Sequence, residues 1–205
     1  QDLASVTLTL NAATTMVDAN ADLPLSINAA SNSITVNDTL DVTGVTLTNL
    51  GTVSVASTKT LTATADQIDG KTVNGDGSLT VNGTATGTTN LSNLSADTVD
   101  ITAADLTADT VTWMTVAAGD DLRLTSAQAT GQTIGAATDA TAVITVTGLA
   151  ANANLANVGN ATATVNATVT GTIDVTANSN LGNVDTYTVS NTKTLTAAAD
   201  QIDGK

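Results

Sequence analysis

Thr58-Lys59-Thr60-Leu61-Thr62-Ala63-Thr64-Ala65-Asp66-Gln67-Ile68-Asp69-Gly70-Lys71 returns at Thr192 to Lys205 with a single change, Thr64 becoming Ala198. A match of this quality 134 positions apart marks a tandem array, in which each unit buries its apolar surface against its neighbours. The second copy stops at Lys205, whereas Lys71 continues into Thr72-Val73-Asn74-Gly75, so the chain is expected to be a piece of a longer array.

A more diverged copy lies between the two. Leu61, Thr64, Gln67, Gly70 and Val73 align with Leu122, Thr125, Gln128, Gly131 and Ile134 at a constant offset of 61. These landmarks divide the chain into a diverged repeat at 1–57, units at 58–121 and 122–191, and the start of a further unit at 192–205.

Period-two alternation of aliphatic residues with Thr dominates: Val6 to Leu10, Ile34 to Val36, Val45 to Leu47, Val53 to Val55, Val143 to Val146 and Ile173 to Val175. Short β-branched runs broken by Gly, Asn and Asp read as strands of about three to six residues. The Ala-rich stretches Ala103 to Leu106 and Ala197 to Gln201 could form a helical turn, but their copies contain Thr and sit inside strand patterns.

Two all-β architectures compete. Tandem β-sandwich domains need about 100 residues each and commonly bury a ring between their sheets. The unit here is shorter, and Trp113 and Tyr187 are the only aromatic residues. A parallel β-solenoid suits small aliphatic side chains, which stack into inward ladders at about 20 residues per coil, with Asn or Thr at the corners.

The 44 threonines and 19 aspartates stand beside no Glu, no His and no Cys, with five Lys plus Arg and a net charge of -14. Asp, Asn and Gly favour turns, whereas Glu favours helices. So acidic a chain is unsuited to nucleic acid or anionic lipid. Without Cys there is neither a disulfide framework nor a thiolate metal site. No apolar run is long enough for a membrane-spanning helix, so no membrane insertion is expected in this segment.

Three corners share one pattern: Gln67 and Gly70, Gln128 and Gly131, Gln201 and Gly204. The expected role is a structural turn, with Gly supplying positive φ and Gln a hydrogen bond to backbone. In the outer copies Asp66, Asp69, Asp200 and Asp203 flank the turn and offer hard oxygen ligands of the kind calcium takes. The middle copy carries Ala127 and Thr130 instead, so calcium is an optional rather than a required cofactor. Asp97, Asp100, Asp105, Asp109, Asp120 and Asp121 match neither a glycine-rich calcium nonapeptide nor a helix-loop-helix calcium loop, and read as turn residues.

Catalysis is not expected. Arg123 is the sole arginine and no His or Cys exists to serve as base or nucleophile, while a sugar-cleaving cleft would need a carboxyl of raised pKa among stacking rings. Irregularly spaced Thr-x-Thr pairs do not make an ice-binding face. The sequons at Asn37 and Asn160 match what chance gives in a chain so rich in Asn and Thr.

The run Leu61 to Val81 resembles repeat modules of very large secreted and surface proteins of Gram-negative bacteria: repetitive adhesins, extracellular filaments and surface-layer proteins. Those are similarly rich in Thr, Ala, Val, Asn, Gly and Asp. The resemblance implies an extracellular or cell-surface setting and a scaffold or adhesive role. The expected function is a rigid spacer or self-associating filament, whose partners are neighbouring repeats and further copies. A calcium-assisted surface-layer lattice and a glycan-binding module are the alternatives.

Overall fold

The structure, a computed structural model, describes residues 6–9, 14–16, 25–29, 31–106, 110–137, 141–159 and 163–205, with backbone alone at 6–9, 14–16 and 25–26. Leu10, Asp109 and the sequon Asn160-Ala161-Thr162 lie outside the described residues. The chain divides into two compact units, Gln1–Thr112 and Trp113–Lys205.

Both units are parallel β-solenoids, and the parallel pairing excludes antiparallel sandwich sheets. In the first unit, Thr14–Met16, Ile34–Val36, Thr52–Val55 and the first parts of Thr72–Thr84 and Leu94–Asp105 stack along one face. Leu40–Asp41, Thr60–Thr64 and the second parts of Thr72–Thr84 and Leu94–Asp105 stack along another. Val6–Thr9, Leu25–Asn28 and Thr46–Thr48 form a third. In the second unit Asp121–Thr125, Val143–Thr147, Thr164–Val169 and Thr186–Val189 stack in order, and Ile173–Asp174 pairs with Leu195–Thr196.

Register fixes the coil length. One coil advances 18 residues from Leu61 to Leu79 and 22 from Leu122 to Ile144, which brackets the length expected from sequence. Because a strand alternates its faces, this register places aliphatics over aliphatics. Ile34, Val53, Val73 and Leu94 form one interior ladder, and Leu122, Ile144 and Val165 another, all of them buried. Each fully buried aliphatic contributes about 1.5–3 kcal/mol, so a thin core built of many layers suffices without rings. The outward positions are polar but mixed: Thr62 stacks on Thr80, and Thr80 on Asp100, so no continuous threonine face forms there.

One expectation is corrected. Thr72–Thr84 and Leu94–Asp105 run 13 and 12 residues, longer than the short strands predicted, because each passes round a corner without leaving its ladder. Their paired register shifts between Ala96 and Thr98, beside Gly75 and Gly77 of the neighbouring strand. Of the two readings of the Ala-rich corner at 197–201, the structure takes the helical turn over the strand pattern. The corner enters a single helical turn, α3 (Ala199–Ile202), as do the equivalent corners α1 (Ala65–Ile68) and α2 (Ser126–Ala129). A Thr-x-x-Gln capping box outweighs strand alternation at α1 and α2.

The structure also lengthens the repeat. Thr52–Lys71 and Thr186–Lys205 correspond residue for residue, with Thr58 and Thr192 both at φ +65 and Gly70 and Gly204 at +63 and +71. Val53 of the first copy is Tyr187 of the second.

Candidate functional site

The corner Thr64 to Gly70 is built from its glutamine. Thr64 is the N-cap of α1, and its hydroxyl accepts from the Gln67 N–H at 3.3 Å. The Gln67 Oε1 accepts from the Thr64 N–H at 2.8 Å, completing the reciprocal cap. The remaining end of the amide turns to the previous coil: Nε2 donates to the carbonyls of Val42 at 2.6 Å and Val45 at 2.5 Å. One side chain thus ends a strand, starts a helical turn and satisfies two carbonyls of the layer before.

Gln201 does the same, with Oε1 accepting from Ala198 N–H at 2.7 Å and Nε2 donating to Val175 and Asn178 carbonyls at 2.7 and 2.5 Å. Ala198 has no hydroxyl to return the cap, and the Gln201 N–H instead donates to the Ala198 carbonyl at 3.1 Å. At α2, Gln128 is buried and Oε1 accepts from Thr125 N–H at 2.7 Å. Gly70, Gly131 and Gly204 close the three turns in the left-handed region, at φ +63, +75 and +71.

The four aspartates considered for calcium occupy two different situations. Asp66 accepts from the Thr86 N–H at 3.2 Å and from its hydroxyl, and Asp69 Oδ1 accepts from the Asn90 N–H at 2.7 Å. Both carboxylates therefore hold the following coil. At α2 this task passes to Ser126, whose Oγ accepts from the Ala150 N–H at 3.1 Å. Asp200 and Asp203, their counterparts, are exposed. Among the described residues no three Asp, Glu, His or Cys side chains converge as a metal-binding group.

Other aspartates close Asp-x-Thr turns. Asp41, Asp100 and Asp174 each accept from the backbone N–H and the hydroxyl of the Thr two residues on, at 2.6–2.9 Å. Asp reaches this N–H where the longer Glu does not fit the turn. The Thr176 backbone N–H, then its hydroxyl, hold the Asp174 carboxyl below the usual carboxylate range. Asp121 pairs with Arg123 at 2.6 Å, and Asp97 is exposed.

Sequence reasoning missed two further amides. Asn178 is buried, and its Nδ2 donates to the carbonyls of Ala151 and Ala153 at 3.0 and 2.7 Å. Asn183 Nδ2 reaches Ala156 and Val158 at 2.8 and 3.2 Å. Their signal is an Asn one coil beyond an Ala-rich or Leu-x-Asn corner, which is hard to see in a chain so rich in Asn.

The aromatic residues do not form a stacking platform. Trp113 donates its indole N–H to Gln132 Oε1 at 2.9 Å. The Tyr187 hydroxyl is buried without a hydrogen-bond partner, and burial pushes its pKa up. The grooves on the second unit follow the corners; one is lined by Asn178, Ser179, Gly182, Asp200, Gln201 and Lys205. No helix among the described residues is long and apolar enough to cross a membrane. No protein-family model, curated protein or solved structure matches the chain.

Proposed function

We propose that this chain is a structural repeat segment of a large extracellular or cell-surface protein of the Gram-negative repetitive type, serving as a rigid spacer or self-associating filament. The carrying observation is that one coil, Thr52–Lys71, is built again at Thr186–Lys205 with the same left-handed turn positions, the same helical turn and a glutamine that reaches two carbonyls of the preceding coil. A module that re-forms in this way is suited to extension by repetition. The side chains with chemistry to offer are engaged in holding layers: Gln67 and Gln201 reach the coil before them, Asp66 and Asp69 the coil after.

Mechanically, load within each unit is carried by backbone ladders, reinforced by the corner amides where they occur. This reading assigns the segment no catalysis and no nucleic-acid partner, in keeping with a net charge of -14.

Sedimentation velocity across a wide concentration range, with electron microscopy of the same samples, tests it. Unbranched assemblies indifferent to chelator are expected. A strictly monomeric species at every concentration contradicts the self-associating form. Calcium-triggered sheets would instead favour a surface-layer lattice, and saturable sugar binding lost in Trp113→Ala would favour a glycan-binding module.

A further inference from the structure

Asn74-Gly75 and Asn82-Gly83 are the two Asn-Gly pairs of the chain, both within strand 72–84 and both preceded by valine. Such a pair carries its own chemistry. The glycine nitrogen attacks the side-chain carbonyl carbon of the asparagine, because no side chain on the second residue stands in the way. A new N–C bond forms, the bond to the side-chain amide nitrogen breaks, and ammonia leaves behind a cyclic succinimide. Water then opens the ring at either carbonyl. The product is aspartate, or isoaspartate with the backbone routed through the former side chain.

With the same residue before each pair, the fold is what separates them. Gly75 lies hard against the neighbouring coil: a Cβ there would stand 2.3 Å from the Val55 carbonyl oxygen and 2.8 Å from the Val55 nitrogen. Ring closure at Asn74 has to move the chain through that contact, and a packed layer resists it. Gly83 is exposed, and a Cβ there would meet nothing nearer than the Thr64 methyl group at 3.7 Å. Asn82 is half-buried, at the last position where strand 72–84 pairs with Thr60–Thr64. The Gly83 backbone, at φ +75, has room to turn into the side chain before it. An equivalent corner shows that the amide is not needed for the fold. Thr147-Gly148 stands beside Thr125 as Asn82-Gly83 stands beside Thr64, with Gly148 at φ +65, and threonine has no amide to lose.

We propose that Asn82-Gly83 is a site of spontaneous deamidation, with water as co-reactant and ammonia as product, and that its conversion loosens one layer of the first unit as the protein ages. In the folded chain the reaction runs at Asn82 and is held back at Asn74. Asn82 pairs with Thr64 on one side and Ala103 on the other, and Thr64 caps α1. Isoaspartate puts an extra backbone carbon between these two ladders and shifts the register beyond it. Either product also adds a carboxylate to a corner where Asp105 lies opposite Thr84 and Asp66 accepts from Thr86, so like-charge repulsion rises. The site is independent of the spacer reading.

The full chain, held folded in mildly alkaline buffer and sampled over weeks, is the test. Peptide mapping by mass spectrometry follows each asparagine, and an isoaspartate-specific methyltransferase reads the rerouted backbone. In the folded chain Asn82 is expected to convert about tenfold faster than Asn74 or more, and in denaturant, where neither pair is packed, at about the same rate. Asn82→Thr, which copies the Thr147 corner, should keep the circular dichroism of the parent and remove the isoaspartate signal. Amide exchange in the converted chain should quicken at 60–64 and 103–105. Conversion of Asn74 as fast as Asn82 in the folded chain, or an Asn82 as inert there as asparagines followed by larger residues, overturns the site, and both readings need only the parent protein. An isoaspartate signal that persists in Asn82→Thr overturns it as well. Unchanged exchange after conversion overturns the loosening.

Discussion

The side-chain amide of Gln67 donates to the carbonyl of Val45, 22 residues earlier, at 2.5 Å, and so fastens one layer of the solenoid to the one before. The same nitrogen reaches Val42, and the same side chain caps α1 through Thr64. Gln67→Leu therefore strands the Val45 carbonyl and the Thr64 N–H, while the Val42 carbonyl keeps the Val45 N–H as a donor. A loss of about 2–4 kcal/mol is expected from leaving these groups unsatisfied, read as a lower denaturation midpoint. A change within experimental error would show that water replaces the amide.

Thr64 and Ala198 are the one difference between the fourteen-residue copies, and that difference is a cap. Ala198→Thr restores a hydroxyl for the Gln201 N–H. It should stabilise the last corner by about 1 kcal/mol, seen as slower amide exchange at 199–202. Thr64→Ala should cost a similar amount at the covered corner.

Gly75 and Gly70 predict opposite kinds of failure. Gly75→Ala drives a Cβ into backbone and should cost about 3 kcal/mol or more. Gly70→Ala meets no atom within 4 Å and suffers only the strain of φ +63, about 1–2 kcal/mol. Thermal unfolding of the two variants under one condition should rank them in that order.

Tyr187→Phe removes a buried hydroxyl without a partner and should raise stability by about 1 kcal/mol. Burial raises the tyrosine pKa, so the folded state favours the neutral phenol. That contribution is complete below the unfolded value of about 10 and is lost as pH rises through the higher folded value. The parent should lose more stability than Tyr187→Phe in this alkaline range, with phenolate absorbance marking the ionisation.

The fold was legible because its periodicity is local. Alternation at 34–36, 53–55 and 143–146 names the inward residues, and the constant spacing of Gln and Gly names the corners. The helical turn at Thr64-Ala65-Asp66-Gln67 carries its own signal, a capping box, but the strand pattern running up to Thr64 concealed it and only a turn was read there. The work of Asp66 and Asp69 was not legible. Their partners are main-chain N–H groups about a coil away, at Thr86 and Asn90, and a backbone donor leaves no mark in a sequence. The same holds for Asn178 and Asn183, whose partners are carbonyls of alanine and valine.

The clamping amides share a direction. Gln67, Asn178, Asn183 and Gln201 all donate to carbonyls that precede them, by 22 to 27 residues. A chain emerging amino end first from a ribosome or an export channel therefore meets the acceptors for each clamp already in place. At these four corners the latch closes in the order in which the chain is made, whereas the carboxylates of Asp66 and Asp69 wait for the coil that follows.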